Sequence, residues 1–325
     1  MSIIDINEEH IHTSTPDVLE VLLKDRTTNK NIFWATNDYK ELGARYSYFA
    51  PILPELITGK HVNVIRPRVL KARQQQSIRS KEMAEVFTPA WICNIQNNQI
   101  DSAWFGRNNV FNTENDDHTW TTNELPIEFS DGKNWKDYVM DTRMEITCGE
   151  APYITSRYDV TTGNFIEPKD RIGLLDRKLR VVGENTTTIE EWIAAAIDAY
   201  KNIYAYEWQG DNLLLAREAM LWTFGEFFSS KFQCEPPKEK VLEIATIISW
   251  NVWQMDGLKC VIPNSCKTVE CTDLFGNTIK SECLGCKKGN IHHHNGIYCL
   301  VKDWNDIDKK TGKKGAKVPF HTLIK

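Results

Sequence analysis

Three stretches of the sequence set acids and a glycine where ligand chemistry is commonly done. "RMEITCGEAPYI" runs an apolar strand through Glu145 into Cys148 and Gly149, "NIYAYE" ends in Glu207, and "NVWQMD" ends in Asp256. In open parallel sheets, ligands bind in the crevice outside the carboxyl ends of the strands. Gly149 has no Cβ and lets the backbone come close to a ligand. An acid after the second strand suits the hydroxyls of a ribose, and an acid after the third suits the amino group of an adenine. No GxGxxG or GxxxxGK[ST] run is present to cradle phosphates. A nucleoside site without a phosphate cradle points to S-adenosylmethionine. Taken singly these residues are ordinary, since strand-end acids often cap helices and glycines often mark turns. The ordered set carries the reading.

Six of the nine cysteines fall between positions 260 and 299. Cys283 and Cys286 form a CxxC, Cys266 and Cys271 lie upstream, and His292, His293, His294 and Cys299 lie downstream as competing ligands. Two ligands from each of two knuckles is a zinc-ribbon layout, closed and structural. The alternative is an insertion with free thiols. Cys148 is a poor nucleophile candidate, because the parallel-sheet half offers no histidine to activate it.

The stretch "RPRVLKARQQQSIRSK" carries Arg66, Arg68, Lys71, Arg73, Arg79 and Lys81 and no acid. It reads as a helical arm able to touch DNA phosphates or, more plainly, as an exposed helix. Asp17, Glu20 and Lys24 loosely match a nuclease pattern, but their spacing makes them one solvated helix face.

These residues need elements to position them. "DVLEVLLKD" reads as an amphipathic helix and "NIFWAT" as a strand. Residues 107–135 are polar and read as a long loop or insertion. "TTIEEWIAAAIDAYK" has a Thr cap and early acids. "DNLLLAREAMLWTFGEFF" is a long helix with Asp211 as its N-cap, and "PPKEKVLEIATIIS" opens another with Pro at its start. The order strand, helix, strand, helix, helix, strand predicts an α/β fold with a Rossmann-like, doubly wound parallel sheet.

With this order in place, the chain resembles the adenine-N6 DNA methyltransferases of restriction-modification systems, of the kind called restriction endonuclease subunit M. "MEITCGEAPYI" is similar to that family's first cofactor motif, matched by Glu145, Cys148 and Gly149, with Tyr153 as the aromatic. Phe87, Thr88 and Pro89 match its upstream F/Y-T-P motif. Glu207 and Asp256 stand at its second and third motifs, and "RIGLLDRKLRVV" also looks like the family. The resemblance implies an S-adenosylmethionine-dependent enzyme acting on double-stranded DNA, with Phe87, Thr88, Pro89, Glu145, Cys148, Gly149, Glu207 and Asp256 around the cofactor. Two positions depart from it: Ala151 and Ala205 replace family glycines. The catalytic Asn-Pro-Pro-Tyr/Phe does not follow the third motif, and the one Pro-Pro is in "CEPPKEK". The reading therefore covers a modification subunit completed by a second subunit or a longer reading frame, and a non-catalytic DNA-binding or assembly subunit.

The chain divides into an N-terminal extension with the basic arm (1–84), a methyltransferase-like domain (85–260) and a Cys/His-rich segment (261–325). With 325 residues, 41% of them hydrophobic, it can bury a large core. A net charge of −5 excludes a globally basic nucleic-acid binder and leaves only local patches for polyanions. The N-terminus lacks a signal-peptide pattern, and no apolar run is long enough to span a membrane. A cytoplasmic protein with reduced thiols is expected.

Overall fold

The three strands that carry the acids pair side by side in a small parallel sheet. The structure is a computed structural model and describes residues 4–71, 76, 79–81, 87–130, 132–272, 278–309 and 311–324, without the side chains of residues 271, 272 and 279. Helices α1 (Glu8–Ser14) and α2 (Pro16–Leu23) lead into a loop-rich segment and then helix α3 (Ala90–Phe105). The β1 (Asn112–Glu114) and β2 (Trp120–Thr122) pair and helix α4 (Trp135–Met140) precede β3 (Arg143–Glu145). Helices α5 (Leu174–Asn185) and α6 (Ile189–Lys201) lead to β4 (Ile203–Glu207), and α7 (Gly210–Phe232) and α8 (Lys238–Asn251) lead to β5 (Val252–Gln254). The C-terminal part holds β6 (Val269–Thr272), β7 (Thr278–Ser281), α9 (Leu284–Lys288), β8 (Leu300–Ile307) and β9 (Lys314–Pro319).

The fold is mixed α/β with small sheets. Strands β3, β4 and β5 pair in that order, both pairs parallel, with Arg143 opposite Ile203 and Ala205 opposite Val252. The other three sheets are two-stranded and antiparallel. The polar insertion thus contains one hairpin, β1–β2. "NIFWAT" makes only isolated bridges, Lys24 with Asn31 and Phe33 with Pro51. A side chain completes its pairing: the Gln254 carboxamide accepts from the Phe33 N–H at 3.1 Å and donates to the Phe33 carbonyl at 2.8 Å.

Local signals explain the helices near the sheet. Thr188 and Glu191 form a capping box at the start of α6. Helix α7 begins one residue before Asp211, which is fully buried within the first turn and accepts from the Tyr39 hydroxyl at 2.7 Å. Gly210 is required there, because a Cβ would lie 2.1 Å from the Phe33 carbonyl oxygen. Arg217, buried on the same helix, donates to the carbonyls of Val252, Leu22 and Lys24 and ties α2 to the start of β5. On α5, Asp176, Arg177 and Lys178 are all buried. Arg177 pairs with Asp101 of α3, and Lys178 donates to the carbonyls of Val139 and Asp141 before β3. Burial and the nearby Arg143 push the Lys178 ammonium down to about 7.

One hydrophobic core runs from Ile6, Leu19 and Ile57 of the N-terminal segment to Leu175, Ile203, Leu214 and Val252 around the sheet. A second cluster joins Tyr206, Trp253 and Met255 to Cys299 and Val301 of the C-terminal segment. No helix among the described residues is long and apolar enough to cross a membrane.

Two cations of the basic stretch, Lys71 and Arg79, are buried rather than presented on an exposed arm. Lys71 is buried with its ammonium 3.4 Å from Asp211, and Arg79 is buried against Asp38 and Asp211 at 2.7 and 2.9 Å. Burial raises the Asp211 carboxyl, but Arg79 and Lys71 outweigh it and hold the group well below the usual carboxylate range. A lysine committed to a buried ion pair has no free charge for a phosphate. Arg68 is half-buried over the Phe87 ring, Arg66 is exposed, and Arg73 lies outside the described residues.

Acidic groups meet the opposite fate where α1 faces α7. Both carboxylate oxygens of Glu218 are buried without a hydrogen-bond partner among the described residues, as is Oε1 of Glu8. Burial pushes Asp5 up to about 6 and Glu8 up to about 8, and raises Glu218 strongly. The folded state keeps protons that the unfolded chain releases near its ordinary carboxyl values. Stability contributed by these groups is therefore complete below about pH 4.5 and is lost as pH rises towards 8. Glu218→Gln, a neutral isostere, should flatten this dependence. Its melting temperature should match wild type near pH 4 and exceed it near pH 9 in thermal scans, and parallel decline of the two proteins would contradict the assignment.

Candidate functional site: an acid-lined cleft and a Cys/His cluster

A cleft of about 820 Å³ opens at the carboxyl ends of β3 and β4. Its floor is the turn after β3. Thr147, Gly149 and Ala151 in this turn have φ of 47°, 54° and 60°. Gly149 takes this left-handed backbone freely, whereas an alanine there carries about 1 kcal/mol of strain. Ala151, one of the two departures from the resembled motif, thus occupies a backbone conformation suited to glycine. A Cβ on Gly149 would also touch the Phe87 ring at 3.4 Å, so the segment before α3 packs directly on this turn.

Two carboxyls hold the turn. The Glu207 carboxylate accepts from the N–H of Gly149 at 2.9 Å and from that of Gln209 at 3.1 Å. Glu145 accepts from the N–H of Ile154 at 3.1 Å and of Tyr153 at 3.5 Å. Burial raises both carboxyls, and each is opposed by the backbone N–H groups it binds. The neighbouring Glu207 charge raises Glu145 further. Glu150 in the same turn accepts from the Arg68 N–H and from the Tyr158 hydroxyl, both at 2.6 Å. Burial, with Glu145 and Glu207 beside it, pushes the Cys148 thiol far up, which makes it an apolar wall rather than a nucleophile.

Most of the cofactor residues read from the sequence come together here. Phe87, Thr88, Glu145, Cys148, Gly149 and Glu207 line the cleft, and Pro89 stands behind them as the N-cap of α3. Asp256 does not. The turn after β5 directs it away, where its carboxylate accepts from the Leu258 N–H at 3.1 Å, pairs with Lys259 at 3.2 Å, and lines a separate cavity with Cys266, Cys283 and Cys286. The third wall of the cleft comes instead from Tyr48, Trp208, Gln209 and Asn212. Trp208 and Gln209 follow Glu207 directly in the sequence, a signal that sequence reading passed over. Tyr48 had none, because it arrives from the N-terminal segment. Its hydroxyl accepts from Trp208 Nε1 and from Asn264, both at 2.9 Å. Among the described residues, no Lys or Arg lines the cleft.

The cysteines converge as well. The ligand atoms of Cys266, Cys283, Cys286 and His294 all lie within 4.8 Å of one another. The three sulfurs are 3.5, 3.6 and 3.7 Å from His294 Nδ1. Tetrahedral zinc, with Zn–S of about 2.3 Å and Zn–N of about 2.0 Å, sets sulfur and nitrogen about 3.6 Å apart. The Cys286 N–H points at the Cys283 sulfur at 3.4 Å, and the His294 N–H donates to the Tyr298 hydroxyl at 2.8 Å. Gly285 is required beside this cluster, since a Cβ would meet the His294 ring at 2.6 Å. The set could hold a metal such as zinc. The fourth donor is His294, one of the histidines left competing by the sequence. Cys271 contributes its backbone to β6 opposite Ile279, and its side chain lies outside the described residues.

Comparison of the chain with protein-family models, with curated proteins and with solved structures gives no match. The geometry therefore carries the functional argument alone. Protein purified without a His tag should contain about one zinc per chain by elemental analysis. Cys286→Ser should lose the metal and melt at a lower temperature, and metal content near zero in the wild type would remove the centre.

Proposed function

We propose that the cleft binds S-adenosylmethionine and that the chain is a cytoplasmic adenine-N6 DNA methyltransferase or modification subunit of a restriction-modification system, built on a Rossmann-like methyltransferase core. The observation that carries this reading is the charge of the cleft. Two buried carboxyls, Glu145 and Glu207, face it, aromatic rings from Tyr48, Phe87 and Trp208 wall it, and no basic residue among those described lines it. Burial raises these carboxyls and a bound cation offsets that cost, so the site favours a cationic nucleoside, and S-adenosylmethionine carries a sulfonium and an ammonium. It disfavours nucleotides, whose phosphates would meet the carboxyls with no cation between.

Further support comes from convergence. Phe87 and Thr88, the Gly149 turn and Glu207 are far apart in sequence, yet they line one cleft, which supports the roles that the resemblance implies for them. Glu207, near the end of the second strand, is the ribose acceptor in this reading. Tyr48, Trp208 and the carboxamides of Gln209 and Asn212 take the adenine side that Asp256 was expected to supply. In this family's chemistry the N6 amine of adenine attacks the sulfonium methyl. A C–N bond forms as the C–S bond breaks, the sulfonium becomes a thioether, and the amine loses a proton. The residues of this cleft orient the donor for that step and exclude water around it. In the Cys/His set, zinc would be structural, with all four positions filled by protein.

A second reading is favoured by one specific feature. This sequence contains no Asn-Pro-Pro-Tyr after the third strand to hold the target amine. A non-catalytic DNA-binding or assembly subunit, or a subunit completed by a partner, fits that feature. Methyl transfer from labelled cofactor to duplex DNA separates the two. For the cleft itself, S-adenosylmethionine should raise the melting temperature of the wild type. Glu207→Ala should bind about 10- to 100-fold more weakly, because a buried charge-assisted bond contributes about 1.5–3 kcal/mol. Unchanged affinity in that variant would contradict the assigned role.

A further inference from the structure

Away from the cleft and the Cys/His cluster, four cations gather on two tryptophans. Lys302 of β8 and Lys317 of β9 are directly opposed across the hairpin, a placement of like charges that costs stability. The Lys302 ammonium lies 4.0 Å from the centre of the Trp304 ring and 5.8 Å from that of Trp250. Lys317 is 5.1 Å from the Trp250 ring, Lys201 is 5.7 Å from Trp304, and the Arg26 guanidinium is 5.7 Å from Trp250. None of the four forms an ion pair among the described residues. Burial, together with Lys317, Lys201 and Arg26, pushes the Lys302 ammonium down.

The platform is held in shape by other contacts. A Cβ on Gly315 would lie 2.3 Å from the Lys302 side chain, and Gly315 sits at φ 97°, so a glycine opens the channel in which that lysine lies. Trp304 Nε1 donates to Asn251 at 2.8 Å, the Tyr204 hydroxyl donates to the Lys302 carbonyl at 3.0 Å, and Arg26 Nε donates to Ser249 at 2.8 Å. Ring faces attract cations but do not neutralise them. Four converging positive charges without a carboxylate repel one another, and an oxyanion between them reverses the sign of that interaction.

We propose that this platform docks the phosphodiester backbone of double-stranded DNA. A polyanion fits better than a lone phosphate, because the surrounding segment carries a net positive charge. Residues 261–325 contain eleven Lys against six Asp and Glu, a net +5 in a chain whose total is −5. Lys309, Lys313 and Lys314 continue the charge, exposed, along the same hairpin. The platform lies by the ends of α6 and α8, at the amino ends of β4 and β5, opposite the cleft. It therefore holds DNA and does not handle the reacting base. The choice of DNA as the polyanion rests on the methyltransferase reading, while the anion site itself does not.

The test uses the full chain and a short fluorescein-labelled duplex, followed by anisotropy across a salt series. Lys302→Gln with Lys317→Gln should weaken binding about tenfold or more at physiological salt and lower the slope of log affinity against log salt by about two. The melting temperature of that variant should not fall, since a repulsive pair is removed. Its affinity for S-adenosylmethionine should not change, which separates failure here from failure of the cleft assignment. Lys287→Gln with Lys288→Gln, an exposed pair in the same segment, should cost less. The proposal is overturned by absence of duplex binding in the wild type, by equal affinity and slope in the platform variant, or by equal losses in both pairs. It is also overturned if inorganic phosphate stabilises the wild type and not the platform variant while no duplex binds.

Discussion

The site depends on one carboxylate. Glu207 accepts from Gly149 on one side and Gln209 on the other, and so joins the turn after β3 to the turn after β4. The turn after β3 has three residues in the left-handed region, two of them not glycine. Backbone of that kind persists only where its surroundings over-determine it. Glu207 supplies one constraint, Glu145 a second through Ile154, and the Phe87 ring a third by packing on Gly149. The cleft is what remains between these three.

The N-terminal segment belongs to the same construction. Asp211, at the start of α7, gathers Tyr39, Lys71 and Arg79 into its first turn, and Gln254 pairs with the backbone of Phe33 as a neighbouring strand would. These bonds bring Tyr48 to the cleft. Tyr48 in turn receives Asn264, from the loop that carries Cys266. The Cys/His cluster thus lies one hydrogen bond beyond the wall of the cleft, and its order bears on the shape of that wall.

The helices flanking the sheet and the order of β3, β4 and β5 were legible, because their periodicity and caps are local: Thr188 and Glu191 read as a helix start and form one. Four features were hidden. The run Asp176, Arg177 and Lys178 is fully charged, yet it is buried because each member has a partner from another element. The basic stretch from Arg66 reads as an arm because the acids that neutralise Lys71 and Arg79 are distant in sequence. Asp256 was placed on the cleft by its position after a strand, but the tight turn to Leu258 decides where it points. His294 could not be chosen over its neighbours by spacing alone, since the fold, and the space left by Gly285, select it.

The central claim is that the cleft selects a positively charged nucleoside through Glu145 and Glu207. Calorimetric titration of the chain with S-adenosylmethionine, S-adenosylhomocysteine and AMP measures this most directly. The account predicts saturable binding of S-adenosylmethionine, weaker binding of the homocysteine compound, which lacks the sulfonium charge, and none of AMP. Binding of AMP as tight as that of S-adenosylmethionine, or failure of both S-adenosyl compounds to bind, would contradict it.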